Sequence, residues 1–184
     1  LTIEPNTLFA SKPPTLPDDD TLWEIYQQGH QLLQEAGYQQ YEVSAYAKPG
    51  HQSRHNRNYW QYGDYLGIGC GAHSKMTIPH SHQILRCEKI KHPQGYLDLT
   101  RPLRYRLNEV APDERYFEFF MNHLRLLEPV QKQCFEQTTG LSSSNASEKL
   151  HPAINHGWIT ETSTTWQLTA SGHRFLNSVL ETLL

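Results

Sequence analysis

Cysteine is scarce in this chain: three residues in 184 (Cys70, Cys87 and Cys134), far apart and odd in number. That pattern argues against a disulfide framework and places the chain in a reducing cytoplasm. C-x-x-C, H-E-x-x-H and C-x-x-C-H are all missing, so the common zinc and covalent-haem spacings are excluded. No stretch approaches the roughly eighteen consecutive apolar residues of a membrane span, and the mean hydropathy of -0.67 agrees. Excess positive charge is lacking too. A net charge of -3 argues against a general nucleic-acid binder, whose affinity comes from neutralising phosphates. No charged segment with an apolar stretch precedes Leu1-Thr2-Ile3-Glu4-Pro5, so no signal peptide is expected in the sequence as given. Those first residues read as a strand in progress, and the chain is expected to be cut from a longer protein.

What is present reads first as strand, loop, helix, strand. Asp18-Asp19-Asp20 supplies a cap and favourable charge for a helix carrying Leu22, Ile25, Tyr26, Leu32, Leu33 and Ala36 on one stripe, ended by Gly37. Tyr41 to Tyr46 follows as a strand, stopped by Pro49-Gly50, and a strand, helix and second strand imply a parallel pair with a right-handed crossover. An irregular polar stretch from His51 to Asp64 runs into Tyr65 to Ala72, read as a strand with glycine at alternate positions. A short strand is expected at Ile84 to Ile90 and a short helix after Pro93. From Pro112 the pattern turns helical, with Phe117, Phe120, Met121, Leu124 and Leu127 as the apolar face of a helix ending before Pro129. A helix around Cys134 ends at Gly140, another runs from Ser144 to Asn155, Trp158-Ile159 and Trp166 to Leu168 form a hairpin, and a last helix begins near Thr169 or Ser171. This order resembles a winged helix. From Val130 onward, Lys132, Lys149 and Arg174 face Glu136, Glu148, Glu161 and Glu181, which leaves no electrostatic footprint for DNA.

The strongest local signal is Ser53-Arg54-His55-Asn56-Arg57-Asn58-Tyr59-Trp60, beside the glycine segment. Arg54 and Arg57 can pair with carboxylates, Tyr59 and Trp60 can stack, and a neutral imidazole at His55 can bind a metal, which suits a flat, anionic, aromatic ligand. The alternative is a polar loop tying down a barrel rim, with His55 satisfied by a backbone carbonyl. In a strand Gly67, Gly69 and Gly71 leave one face bare, for a ligand or for a packed neighbour. Gly67-x-Gly69-x-x-Ala72 matches the dinucleotide fingerprint, with Glu88 near the acidic position, but His73 to Pro79 shows no helix to receive a pyrophosphate, and that reading is rejected. His51 with His55, and His80 with His82, are weak metal spacings, and Glu42 with Asp64 is a candidate acid–base pair.

Leu1 to Thr7, Tyr41 to Gly50, His55 to Trp60 and Gly63 to His73, in this order, resemble the radical-SAM haem-chaperone family often called HemW, itself similar to oxygen-independent coproporphyrinogen III oxidase. The resemblance covers essentially the whole chain. It implies an α/β fold: the C-terminal part of a partial (β/α) radical-SAM barrel with a rim loop, residues 1–108, then a small, mainly helical, winged-helix-like domain, residues 109–184. That family's haem-binding pattern H-N-x-x-Y-W matches His55, Asn56, Tyr59 and Trp60, which makes His55 the expected ligand of haem iron. Gly67, Gly69, Gly71, Ala72 and His73 are expected near S-adenosyl-L-methionine (SAM). The three clustered cysteines that hold the [4Fe–4S] cluster in the family are not in this chain, so it cannot be active alone. The implied function is haem binding and delivery to recipient haem proteins. The alternatives are radical decarboxylation of coproporphyrinogen III propionates, and a non-catalytic protein-binding module in residues 112–184. With barrel strands absent, an exposed sheet edge is expected.

Overall fold

A computed structural model describes residues 3–184. The chain divides into two compact units, residues 1–39 and 40–184. Among the described residues no helix is long and apolar enough to cross a membrane.

In the first unit, α1 (Leu8–Ser11) is a single turn capped by Thr7. Helix α2 (Asp19–Glu35) begins where the acidic run predicts: the Asp18 carboxylate accepts the Thr21 N–H at 2.8 Å, with Asp19 and Asp20 in the first turn. Gly37, at φ +83°, ends it. The apolar stripe of α2 is uncovered, with Leu22, Trp23, Ile25, Tyr26 and Leu32 all exposed. The strand expected from Leu1 begins on residues outside those described, and Ile3 to Pro5 carry no strand.

The second unit opens on β1 (Gln39–Glu42) and β2 (Ala45–Ala47), which pair with each other. Two residues separate them, and a connection that short joins only antiparallel strands. The expected single strand Tyr41–Tyr46 is therefore corrected to two short antiparallel strands; its expected parallel partner begins on residues outside those described. The cause is Glu42, whose buried carboxylate accepts both the Ser44 N–H (3.0 Å) and the Ser44 hydroxyl (2.9 Å) and so pulls the chain into a turn.

Helix α3 (Arg54–Trp60) precedes an antiparallel sheet of β3 (His73–Ile78), β4 (Gln83–Lys89) and β5 (Arg104–Glu109), with β4 central and α4 (Pro93–Leu97) between β4 and β5. Strand β5, at the edge of this sheet, is exposed along its length.

The remainder runs α5 (Pro112–His123), β6 (Val130–Gln131), α6 (Lys132–Thr139), α7 (Ser143–Asn155), β7 (Ile159–Glu161), β8 (Thr165–Leu168), α8 (Ala170–Arg174) and α9 (Leu176–Glu181). Strand β6 joins the hairpin in the order β6-β8-β7, completing the winged-helix arrangement. At two residues β6 is too short to give a pattern. The last helix is broken at Phe175, whose φ of -107° and ψ of 29° leave the α region. The core is aromatic: Phe120 and Phe135 meet Trp166 edge-on at 5.3 and 5.8 Å, beside Phe119, Leu150, Ile159 and Val179.

Helix α5 ends at His123 and buries Arg115, Tyr116, Phe119, Phe120 and His123, keeping Phe120 of the expected face; Met121 is exposed. An apolar template passes over the two polar members of that face. Arg115 donates to the carbonyls of Val110 and Thr139, and the His123 ring stacks on Phe119 at 4.0 Å. Burial pushes the His123 imidazole down from 6.5 to about 4. It stays neutral in the folded chain at pH values where the unfolded chain binds a proton. The contribution is complete above about pH 6.5 and lost as pH falls toward about 4, on the order of 3 kcal/mol. Denaturant titrations from pH 7 to 4 should show that loss, and His123→Phe should remove the largest single part of it; half-buried His173, lowered by burial as well, and the lowered carboxyls of Asp64, Glu136 and Glu161 supply the rest of the slope.

Candidate functional site

The segment read as an irregular polar loop is a helix. Ser53 caps α3, its hydroxyl accepting the Asn56 N–H at 3.2 Å. His, Asn and aromatic residues are indifferent helix formers, so tertiary ties hold these seven residues rather than local preference. Arg57 reaches Glu128 with one nitrogen on both carboxylate oxygens, at 2.8 and 3.0 Å, and Gln52 at 2.7 Å. Asn58 donates to the Asp64 carbonyl at 3.0 Å, and Asn56 to the Tyr41 hydroxyl at 3.4 Å.

Helical spacing splits the four motif residues into two stripes. Asn56 and Trp60 face inward. Trp60 packs against the cluster of Tyr41, Ala47 and Leu126, under the Arg125 guanidinium at 4.3 Å, and its buried indole N–H has no acceptor among the described residues. His55 and Tyr59 form the other stripe, with rings edge to face at 4.8 Å, and Tyr59 lies on Tyr65 at 4.5 Å. His55 is exposed. Neither of its ring nitrogens has a hydrogen-bond partner among the described residues, so no backbone carbonyl holds it. Arg57 is paired with Glu128 and Gln52, and Arg54 is exposed at the helix start.

The glycine segment is not a strand. Only Tyr65 makes a bridge, to Lys75, with both backbone bonds at 3.0 Å. The chain then folds back on itself toward β3. A Cβ on Gly67 would stand 2.1 Å from the His73 carbonyl oxygen, and Gly69 (φ +104°) and Gly71 (φ +70°) have left-handed backbone. Close packing on the His73 backbone thus accounts for Gly67, and left-handed backbone for Gly69 and Gly71. Ala72 follows in the turn, and exposed His73 opens β3 opposite Glu88. A strand after the glycines confirms that this is no dinucleotide loop.

The other candidates separate. His51 precedes α3, His80 and His82 sit exposed in the β3–β4 turn, and Cys70 is exposed. Glu42 is tied to Ser44 and Arg125, whereas Asp64 is tied to Lys75 and Thr77. They form no acid–base pair. No group of three or more potential metal ligands occurs among the described residues.

A polar network behind Tyr59 gave no sign in the sequence. The Lys75 ammonium is 1% exposed and donates to the Tyr62 carbonyl (2.8 Å), Asp64 (2.9 Å) and the Thr77 hydroxyl (3.2 Å). Burial lowers the Lys75 pKa, against the pull of Asp64. Burial by itself would raise Asp64, but hydrogen bonds from Thr77 and Lys75 outweigh it and hold the carboxyl below its ordinary value. The Tyr62 hydroxyl donates to Glu118 at 2.7 Å; burial, then that carboxylate, pushes the phenol pKa up. Arg86 donates to Glu118 (2.6 Å) and to the Tyr65 hydroxyl (3.0 Å), joining β4, α5 and the segment behind α3. A lone lysine between Ser74 and Met76 reads as solvated, because β3 shows no clean alternation.

Comparison with known proteins adds to this geometry. A family model described as the HemN C-terminal domain matches residues 110–175. "Heme chaperone HemW" of Haemophilus influenzae is 56% identical over 184 residues, covering all of this chain and 47% of that protein. Its namesake in Escherichia coli is 54% identical over the same length, covering 48% of that protein. The chain is thus similar along its whole length to proteins named heme chaperone HemW, and over residues 110–175 to the HemN C-terminal domain. It spans about half the length of these curated relatives. Among solved structures, coproporphyrinogen III oxidase (HemN) from Escherichia coli, a radical SAM enzyme, superposes with a TM-score of 0.64 at 18% identity, over 91% of this chain and 42% of that one. The α/β fold expected from the resemblance is therefore the fold of a radical SAM protein's C-terminal region, although Tyr65–Ala72 is not one of its strands.

Gly67→Ala should destabilise the protein by roughly 1–3 kcal/mol, the usual range for forcing extra volume into packed structure. Gly29→Ala, in the interior of α2 with nothing near its Cβ, should instead stabilise by roughly 0.5–1 kcal/mol. Thermal melts of the two variants side by side check both signs.

Proposed function

We propose that the longer protein to which this chain belongs binds haem as cargo and passes it to recipient haem proteins in the cytoplasm. The observation that carries the reading is the division of α3: Asn56 and Trp60 are spent on anchoring the helix, while His55 is exposed with half-buried Tyr59 edge to face beside it. A fixed helix bearing a free imidazole beside an aromatic edge suits a flat metalloporphyrin, with His55 as the axial ligand. Tyr59 lies along the porphyrin edge, and Trp60 acts from below by setting the helix angle.

Within that protein, residues 1–108 form the end of the SAM-binding barrel and residues 109–184 the C-terminal domain. Gly67, Gly69, Gly71, Ala72 and His73 would be this chain's residues nearest SAM, and the [4Fe–4S] cluster would be held by residues outside this chain. The cluster with SAM supplies radical chemistry when bound; this chain's own part is to hold and orient the porphyrin.

Titration of the full-length protein with ferric haem should develop a Soret band with saturable affinity. His55→Ala should weaken binding at least about tenfold, the loss expected when a metal loses a ligand or its support. Unchanged affinity in that variant would remove His55 from the site.

A further inference from the structure

A cavity of about 160 Å³ lies directly behind the Tyr59 ring, lined by Tyr59, Tyr62, Tyr65, Lys75, Arg86 and Asn122 together with Gly63 and Met121. Its wall contains two cations and three phenols and no carboxylate. The acids that balance those cations, Asp64 and Glu118, stand outside the lining. Lys75 is fully committed, since its three acceptors use all three ammonium protons. Arg86 is not. It carries five donors, of which Glu118 and the Tyr65 hydroxyl take one each, and its side chain is 31% exposed. The Tyr65 hydroxyl accepts from Arg86, which leaves its own proton free to donate. The Tyr59 hydroxyl has no partner among the described residues.

Unspent donors from a guanidinium and a phenol, converging on a small cavity with no acid in its wall, describe a receptor for one carboxylate. We infer that Arg86 and Tyr65 hold a propionate of the bound porphyrin. This rests on the haem reading above. The ring contacts from His55 to Tyr59 (4.8 Å) and from Tyr59 to Tyr65 (4.5 Å) lead from the exposed imidazole to this cavity. An iron ligand at one end and a carboxylate receptor at the other fix a porphyrin in position and in rotation about its iron. Arg57, the arginine that adjacency in sequence suggests for this task, is paired with Glu128 and Gln52 and does not line this cavity. Arg86 takes its place from a different element.

The test compares ferric haem with ferric haem dimethyl ester, whose propionates are blocked, as ligands of the full-length protein and of Tyr65→Phe and Arg86→Gln. Wild type should bind haem roughly ten- to hundredfold more tightly than the diester, the scale of a hydrogen bond to a charged group. Tyr65→Phe should remove much of that preference by weakening haem while leaving the diester unchanged, and Arg86→Gln should remove more. Tyr65→Phe keeps the Arg86–Glu118 pair, so it reports on the site even where Arg86→Gln fails to fold, and melting curves identify that case. Equal wild-type affinity for the two ligands overturns the propionate site while leaving haem binding intact, as does a parallel loss of both ligands in a folded Tyr65→Phe. Failure of wild type to bind either ligand overturns the haem reading and this inference together.

Discussion

An ammonium group removed from water costs several kcal/mol unless its charge and its protons are all met, and Lys75 meets that requirement in one way only. Its three acceptors are the Tyr62 carbonyl, Asp64 and Thr77, and the Tyr62 ring lies beneath it at 4.1 Å. Two of those come from the segment that leaves α3, so satisfying the lysine fixes where that segment runs. The Tyr65–Lys75 bridge continues the same constraint and sets the Tyr65 ring against Tyr59. From there the position of His55 follows through a single helical turn. The outer stripe of α3 is thus positioned by a buried charge on the next element, β3.

The opposite face of α3 is held by different means. Trp60 lies between a small apolar cluster and the Arg125 guanidinium, and Arg125 also pairs with Glu42, the residue that turns β1 into β2. Arg57 ties the helix to Glu128 beyond α5. The residues just after α5 therefore support both the hairpin and the helix, and the winged-helix part serves as the platform on which the motif helix stands. Its aromatic core supplies the rigidity, and Glu118 links it through Tyr62 and Arg86 to the sheet.

Elements whose pattern is carried by local chemistry were readable from sequence. The Asp18 cap, the left-handed glycines Gly37, Gly140 and Gly157, and the β7–β8 hairpin fall where their residue types place them. Elements decided by distant partners were not readable. Helix α3 is built from indifferent helix formers and exists because Glu128, Asp64 and Tyr41 hold it. The alternating glycines imitate a strand, yet each answers a local backbone demand. Of the expected α5 face, Phe120 and the adjoining Leu124 lie in the core and Phe117 packs against it, whereas Met121 is exposed; the added members Arg115 and His123 are polar residues buried by specific contacts. Of the site, the motif residues His55, Asn56, Tyr59 and Trp60 were visible as a pattern, but their division into anchoring and presenting stripes needed the helix. Arg86 and Lys75 were invisible, since a buried charge reveals itself only through its partners.

The proposed ligation of haem iron by His55 is tested most directly by the nature of the iron bond. Resonance Raman spectra of the ferrous haem complex of the full-length protein should contain an iron–histidine stretch. In His55→Gly that band should disappear, and added free imidazole should restore it by filling the vacated position. An iron–histidine band that survives unchanged in His55→Gly would contradict the claim, because the ligand would then come from another element.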